Sequence, residues 1–149
     1  MTVIYSIVGI AGAGAMGRGI AQIAAQAGST VKLFDTQASA GLAARDAIFS
    51  QWDRMVEKGR LDSAQASALK SRLGTVDSLS GLADCDLVVE AVIERLDIKK
   101  ALFAELESVV RDTAVLATNT SSLSVTAIAA GLKRPQRFAG YHFFNPVPL

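Results

Sequence analysis

The 149-residue chain has one cysteine, one histidine, one tryptophan and three prolines, and no long run of charges of one sign. One cysteine, Cys85, rules out an internal disulfide, and a single cysteine with a single histidine is too small a ligand set for a structural zinc site. With 15 basic and 14 acidic side chains the formal charge is +1, which argues against a broad electrostatic footprint for nucleic acid or an anionic membrane. The opening MTVIYSIVGIAG is apolar but shorter than a membrane span, and no basic residues precede it as in a secretory leader. It reads as a buried strand, and the chain reads as cytoplasmic. Cys85 lies between Asp84 and Asp86, which would raise its pKa, so it reads as a passive small residue ahead of a strand rather than a nucleophile.

Apolar residues are plentiful. Half the chain is hydrophobic and 19% is charged, enough for one domain with its own core. Short apolar runs alternate with helical patterns, the βαβ signature of a parallel sheet. Val3 to Ala11 reads as a first strand, and Met16, Ile20, Ile23, Ala24 and Ala27 recur at helical spacing until Gly28. Val31 to Asp35 is a second strand. Ile48, Phe49, Trp52, Met55 and Val56 form the apolar face of a long helix that stops at Gly59. Asp62 with Gln65 can cap a helix to about Arg72. A short strand is expected near Thr75–Val76, a buried one over Asp86 to Ile93, and a helix from Leu96 to Val110. Ala114 to Thr118, a helix over Val125 to Ala130, and a strand from Arg137 to Phe143 complete the pattern. The fold class expected is α/β: a doubly wound, mostly parallel Rossmann sheet with helices on both faces, its order 3-2-1-4-5-6 taken by analogy.

Gly12-Ala-Gly14-Ala-Met-Gly17 is a G-x-G-x-x-G loop between a strand and a helix. Gly12 would permit the tight turn, Gly14 would let the backbone approach a pyrophosphate, and Gly17 would let the helix pack on the sheet. The anion would lie at the helix N-terminus. Asp35, 18 residues after Gly17, can accept hydrogen bonds from a ribose, and neither Thr36 nor Gln37 offers a positive charge to a 2′-phosphate. That favours NAD over NADP. The same loop also serves flavins, and a purely structural glycine turn is the plainer alternative.

In such sheets ligands sit beyond the carboxyl ends of the strands. Three polar clusters fall there: Glu90 to Glu94, Thr118-Asn119-Thr120-Ser121-Ser122, and His142 with Phe143, Phe144 and Asn145. Singly each has a plain reading, with Asn119 a turn former, Ser121 and Ser122 helix caps, and Glu94 a first-turn acid. Together they point to chemistry. Hydride transfer from a secondary alcohol needs a base for the hydroxyl proton, and the imidazole of His142 suits it near neutral pH. Phe143 and Phe144 are expected to keep water from it. The alternative is a satisfied core histidine, and no acid follows His142 to fix its tautomer.

GAGAMGRGIAQIAAQAG, LVVEAVIERLDIKK, NTSSLSV and RFAGYHFFNPVPL, in this order, closely resemble L-3-hydroxyacyl-CoA dehydrogenases, among them the 3-hydroxybutyryl-CoA dehydrogenases. The resemblance covers essentially the whole chain and implies NAD-linked oxidation of an L-3-hydroxyacyl-CoA to the 3-oxoacyl-CoA, as in β-oxidation. It implies His142 as catalytic base, Ser121 on the substrate oxygen and Asn145 shaping that pocket. It also implies Gly12, Gly14, Gly17, Asp35, Ala91, Glu94, Lys99 and Asn119 as the cofactor set. By a looser match, Lys58 would meet the CoA phosphates. In the family a helical domain follows, supplying a glutamate that orients the histidine and most of a homodimer interface. Residues 1–149 are therefore expected to be the NAD-binding domain alone, with NAD(H) binding and very low activity. Dehydrogenases of free hydroxy or sugar acids, or a non-catalytic NAD(H)-binding module, are the competing expectations.

Overall fold

The computed structural model describes residues 2–148. Six strands, β1 (Ile7–Ala11), β2 (Thr30–Phe34), β3 (Leu73–Val76), β4 (Leu87–Glu90), β5 (Val115–Thr118) and β6 (Phe138–Gly140), form one sheet in the order β3-β2-β1-β4-β5-β6. Every pairing is parallel. The helices between them are α1 (Ala15–Gln26), α2 (Ala38–Glu57), α3 (Ser63–Arg72), α4 (Leu96–Val109) and α5 (Val125–Ala129). This is the doubly wound Rossmann arrangement.

Alternation along the strands assigns side chains to two cores. Val8 and Ile10 of β1, Val31 and Leu33 of β2, Leu87 and Val89 of β4, and Ala117 of β5 meet Ile20, Ile48, Trp52 and Leu69 from α1, α2 and α3. Ala11, Val88 and Leu116 face the other way, toward Phe103 and Leu106 of α4 and Ile128 of α5. Both faces of the central strands are covered, which is why β4 reads as an unbroken apolar run until Glu90. Phe103 meets Phe138 edge to face, ring centroids 4.7 Å apart, tying α4 to β6.

Local signals behave as their chemistry predicts. Gly28 follows α1 at φ +104°, and the N–H groups of Gly28 and Ser29 donate back to the carbonyls of Ala25 and Ala24. Asp62 and Gln65 form a reciprocal capping box on α3. Three strand boundaries differ from the reading of sequence alone, β4 ending at Glu90 rather than Ile93 because its pairing with β1 and β5 stops there. β1 begins at Ile7, because only from there does the chain pair with β2 and β4. β6 ends at Gly140, so His142 lies on the extended segment after the strand. Among the described residues no helix is long and apolar enough to cross a membrane, and no group of three or more acidic, cysteine or histidine side chains could hold a metal ion.

Cys85 is fully buried, and burial first, with Asp84 next, pushes its thiol up to about 12. The fold therefore keeps it neutral, a stabilisation complete below the ordinary thiol range and lost as pH rises through the folded value. Alkylation at about pH 8 should modify Cys85 only as the chain unfolds, so its labelling should follow the urea transition. Replacing Asp62 by Ala should cost about 1 kcal/mol of stability in the same titration, with the slope unchanged.

Candidate functional site

The glycine loop is built by three close approaches. Gly12 has φ +112° and its N–H donates to the Phe34 carbonyl at 2.8 Å. A Cβ on Gly12 would stand 2.5 Å from the Ala91 carbonyl oxygen, and one on Gly17 would stand 1.7 Å from the Gly12 carbonyl oxygen. The turn, the neighbouring strand end and the first turn of α1 are thus packed backbone to backbone. On the other side of α1, a Cβ on Gly19 would come within 2.8 Å of Val147. Gly14 is the exception, with nothing within 4 Å of where its Cβ would be. It forms the open N-cap of α1, which has neither a side-chain cap nor an acid in its first turn. Free N–H groups and the positive end of the helix dipole therefore face outward.

Beside this loop Asp35 accepts from Ala13 N–H through Oδ2 and from Gln37 N–H through Oδ1, both at 2.9 Å. A carboxylate has capacity left for further donors. The adjoining cleft, about 840 Å³, is lined by Gly12, Gly14, Asp35, Asp77, Ile98 and Glu105 among others. No lysine or arginine lines it. An open glycine cradle, a carboxylate with spare lone pairs and a wall free of cations fit a dinucleotide that bears a pyrophosphate and an unphosphorylated ribose. Asp77, one residue past β3, went unremarked in the sequence; its place beyond a strand end was the available signal.

A smaller cleft of about 280 Å³ adjoins it, since Ala91 and Val92 line both. It gathers Met16, Glu94, Lys99, Asn119, Ser121, His142 and Asn145. With Ala91, six residues expected on chemical grounds or by resemblance, from three strand ends and α4, thus share one space with His142. Asn119 is half-buried; its N–H donates to the Glu90 carbonyl at 2.9 Å, and its side-chain oxygen accepts from Phe143 N–H at 2.8 Å. With Tyr141 N–H donating to the Thr118 carbonyl at 2.8 Å, this stitches the histidine segment to the end of β5. Lys58, at the end of α2, is exposed and lines neither cleft.

The expected aromatic shield is not there. His142 is exposed, and although the Phe144 ring lies 4.8 Å away, Phe144 is itself 78% exposed. The segment leaves the sheet after Gly140; Phe143 is half-buried against the core, while His142 and Phe144 stay exposed. Helix capping also differs from the plain reading of the serines. Ser124 caps α5 by accepting from Ala127 N–H at 3.1 Å, and Ser121 is turned instead toward Glu94.

Glu94 is the hub of the loop. It accepts from the Thr120 hydroxyl, from Ser121 N–H at 3.3 Å and from the Ser121 hydroxyl at 3.4 Å, and the Lys99 ammonium lies 3.5 Å from it. Partial burial works to raise its pKa, but the Thr120 hydroxyl, Ser121 N–H and Lys99 together outweigh this and hold the carboxyl below the usual range. The side chain of Lys99 is only 2% exposed and bonds Glu90, whose own side chain is wholly buried. Glu90, Thr118 and Thr120 were expected only as members of the polar clusters at the ends of β4 and β5; the network that joins them to Lys99 and Glu94 was not.

A six-stranded parallel sheet with an open glycine loop after β1 and an acid after β2 defines a dinucleotide-binding domain of the Rossmann class. The chain belongs to the 3-hydroxyacyl-CoA dehydrogenase family: residues 7–149 match the family model described as 3-hydroxyacyl-CoA dehydrogenase, NAD binding domain. It is 45% identical over its full length to a 3-hydroxyadipyl-CoA dehydrogenase of Escherichia coli (strain K12), covering 31% of that protein. It is 41% identical over its full length to a 3-hydroxybutyryl-CoA dehydrogenase of Bradyrhizobium diazoefficiens, covering 51% of that one. Among solved structures, a 3-hydroxybutyryl-CoA dehydrogenase from Escherichia coli K12 superposes with a TM-score of 0.95 at 45% identity, over 99% of this chain and 31% of that one. The chain thus spans between about a third and a half of these relatives.

Because the folded pKa of Glu94 is depressed, the tie between Glu94 and the Thr120–Ser121 turn is present above the ordinary glutamate range and is lost as pH falls through the folded value. A carbon-13 NMR titration of its carboxyl should give a midpoint below 4.5, with the Ser121 amide moving in step.

Proposed function

We propose that this chain is the cofactor-binding part of an NAD-linked dehydrogenase that interconverts an L-3-hydroxyacyl-CoA and its 3-oxoacyl-CoA. The observation that carries this is the shared cleft, with His142, Ser121 and Asn119 gathered beside the strand end that packs against the glycine loop. Gly12, Gly14 and Gly17 would hold the pyrophosphate at the N-terminus of α1, and Asp35 the ribose. Ala91, Glu94, Lys99 and Asn119 would line the nicotinamide end. Bound there, NAD would supply the acceptor for a hydride.

The residues of the chain supply the rest. His142 is the base that takes the hydroxyl proton as the alcohol is oxidised, and it returns that proton in the reverse direction. The Ser121 hydroxyl, whose one proton lies on the long 3.4 Å bond to Glu94, turns to donate to the same substrate oxygen instead, stabilising the charge that builds on it, while Asn145 bounds the pocket. Asn119, bonded to both the β4 carbonyl and the Phe143 N–H, keeps the imidazole over the cleft. Among the described residues no carboxylate hydrogen-bonds the His142 ring, so its tautomer is not fixed from within this domain. The relatives are longer, and we place the orienting acid, the acyl pocket and the dimer contact in their additional length. On this reading the chain alone binds NAD(H) and turns over slowly, and Lys58 meets the CoA phosphates from the end of α2.

A second reading, a dehydrogenase of a free hydroxy acid, needs a cation for the substrate carboxylate; Lys99, the only lysine or arginine lining the smaller cleft, is already engaged by Glu90, which weighs against it.

The test is NADH fluorescence on binding, then NADH oxidation with acetoacetyl-CoA or with free acetoacetate, with His142→Gln alongside. Binding with slow, CoA-dependent turnover is expected. His142→Gln should lower the residual rate by about 10²–10⁴ while leaving NADH affinity in place. Equal rates for both proteins would remove His142 as base, and a preference for free acetoacetate would favour the second reading.

A further inference from the structure

Glu90 is a carboxylate with no exposure at all, set at the end of a central strand of the sheet. It has the parity of Val88, so its side chain points to the α4 face. There the Thr118 hydroxyl donates to Oε1 at 2.6 Å, while the Lys99 ammonium and Val92 N–H donate to Oε2 at 2.5 and 2.7 Å. Lys99 is 1% exposed. Burying both members of an ion pair carries a desolvation cost that their attraction often fails to exceed, and apolar residues of equal volume commonly serve stability as well or better. Stability therefore does not account for the pair. Its location does, because Lys99 lines the cleft that also holds Ser121 and His142.

We propose that Glu90 is a positioning residue: by holding the Lys99 ammonium at the floor of the cleft it aims Lys99 at Glu94 and so fixes the turn that presents the Ser121 hydroxyl. The contacts are continuous. Lys99 lies between Glu90 and Glu94, at 2.5 and 3.5 Å, and Glu94 receives the Thr120 hydroxyl and both donors of Ser121. A second route closes the loop, since the hydroxyl that Thr118 gives to Glu90 accepts Thr120 N–H at 3.2 Å. Glu90 thus grips the turn from two sides without touching the cleft. Its effect on cofactor affinity rests on the reading that this cleft takes NAD(H).

The test compares Glu90→Gln, Glu90→Asp, Lys99→Met and the double variant Glu90→Gln/Lys99→Met with the parent chain. The readouts are NADH affinity by fluorescence and nitrogen-15 NMR of the Thr120 and Ser121 amides and of the Lys99 ammonium. That ammonium gives a resolved signal when burial and hydrogen bonding slow its exchange. Glu90→Gln is expected to weaken NADH binding about tenfold, displace both amides and erase the ammonium signal. Glu90→Asp, which keeps the charge, should restore part of the affinity. Once Lys99 is Met, Glu90→Gln should add no further loss, since the Gln amide oxygen still accepts the Thr118 hydroxyl. A lowered melting temperature with affinity and both amides as in the parent would make Glu90 merely structural, and an undiminished loss on the Lys99→Met background would show that it does not act through Lys99. Either overturns the proposal. If Glu90→Gln does not fold, the double variant, which leaves no unpaired cation, is compared with Lys99→Met alone: matching amides support the proposal and displaced ones overturn it. A parent chain that does not bind NADH removes the cofactor reading only, and the amide shifts still decide the role of Glu90.

Discussion

One row of residues runs straight across the sheet: Val76, Phe34, Ala11, Glu90, Thr118 and Gly140 are register partners from β3 to β6. Parallel pairing in this register brings all six strands to an end on a single line, and the loops that line the two clefts start just beyond it. Asp77, Asp35, Gly12, Ala91, Asn119 and Tyr141 are each one residue past that row. A slip of one residue in any strand would turn its side chains to the other face and move its loop out of line. The apolar alternation that separates the two cores is what forbids the slip. Core packing and site geometry are therefore one constraint, imposed by burial and expressed at the edge.

Along this row Glu90 and Thr118 depart from the apolar rule. Both face α4, in the same layer as Val88 and Leu116, and there Glu90 meets the Lys99 ammonium and the Thr118 hydroxyl instead of methyl groups. A sheet flanked by helices leaves little water at that depth, so each polar atom has to find its partner within the protein. The resulting network is local and fully directional. It joins three elements, β4, β5 and α4, at the point where their loops diverge to form the cleft.

Much of this was legible in the sequence. The Gly12–Gly17 spacing, the acid at position 35, the Asp62–Gln65 pair and the apolar run up to Glu90 each signal local structure through sterics or periodicity, and each lies where those rules put it. The gathering of polar residues at the strand ends followed from the parallel topology. What escaped was set by partners distant in the chain. Nothing near Glu90 announces that its counter-ion is nine residues on, in the next helix. The strand expected through Phe143 is continued by side-chain support from Asn119 in place of ladder pairing, so Tyr141 and Phe144 lie exposed and only Phe143 of that apolar run packs partly on the core. Ser121 and Ser122 look like caps because cap chemistry is local, whereas the bond from Ser121 to Glu94 spans 27 residues.

The contact between Gly19 and Val147 has a consequence for anyone redesigning this domain. Glycines inside helices are the usual first targets when a protein is to be made more heat-resistant, because alanine narrows the freedom of the unfolded chain. α1 holds two of them, and neither is spare. A methyl group at position 17 would collide with the glycine turn, and one at position 19 would press on Val147 and Pro148, beyond the histidine segment. The helix most tempting to stiffen is the one that has given up its own stability so that two loops can rest against its backbone.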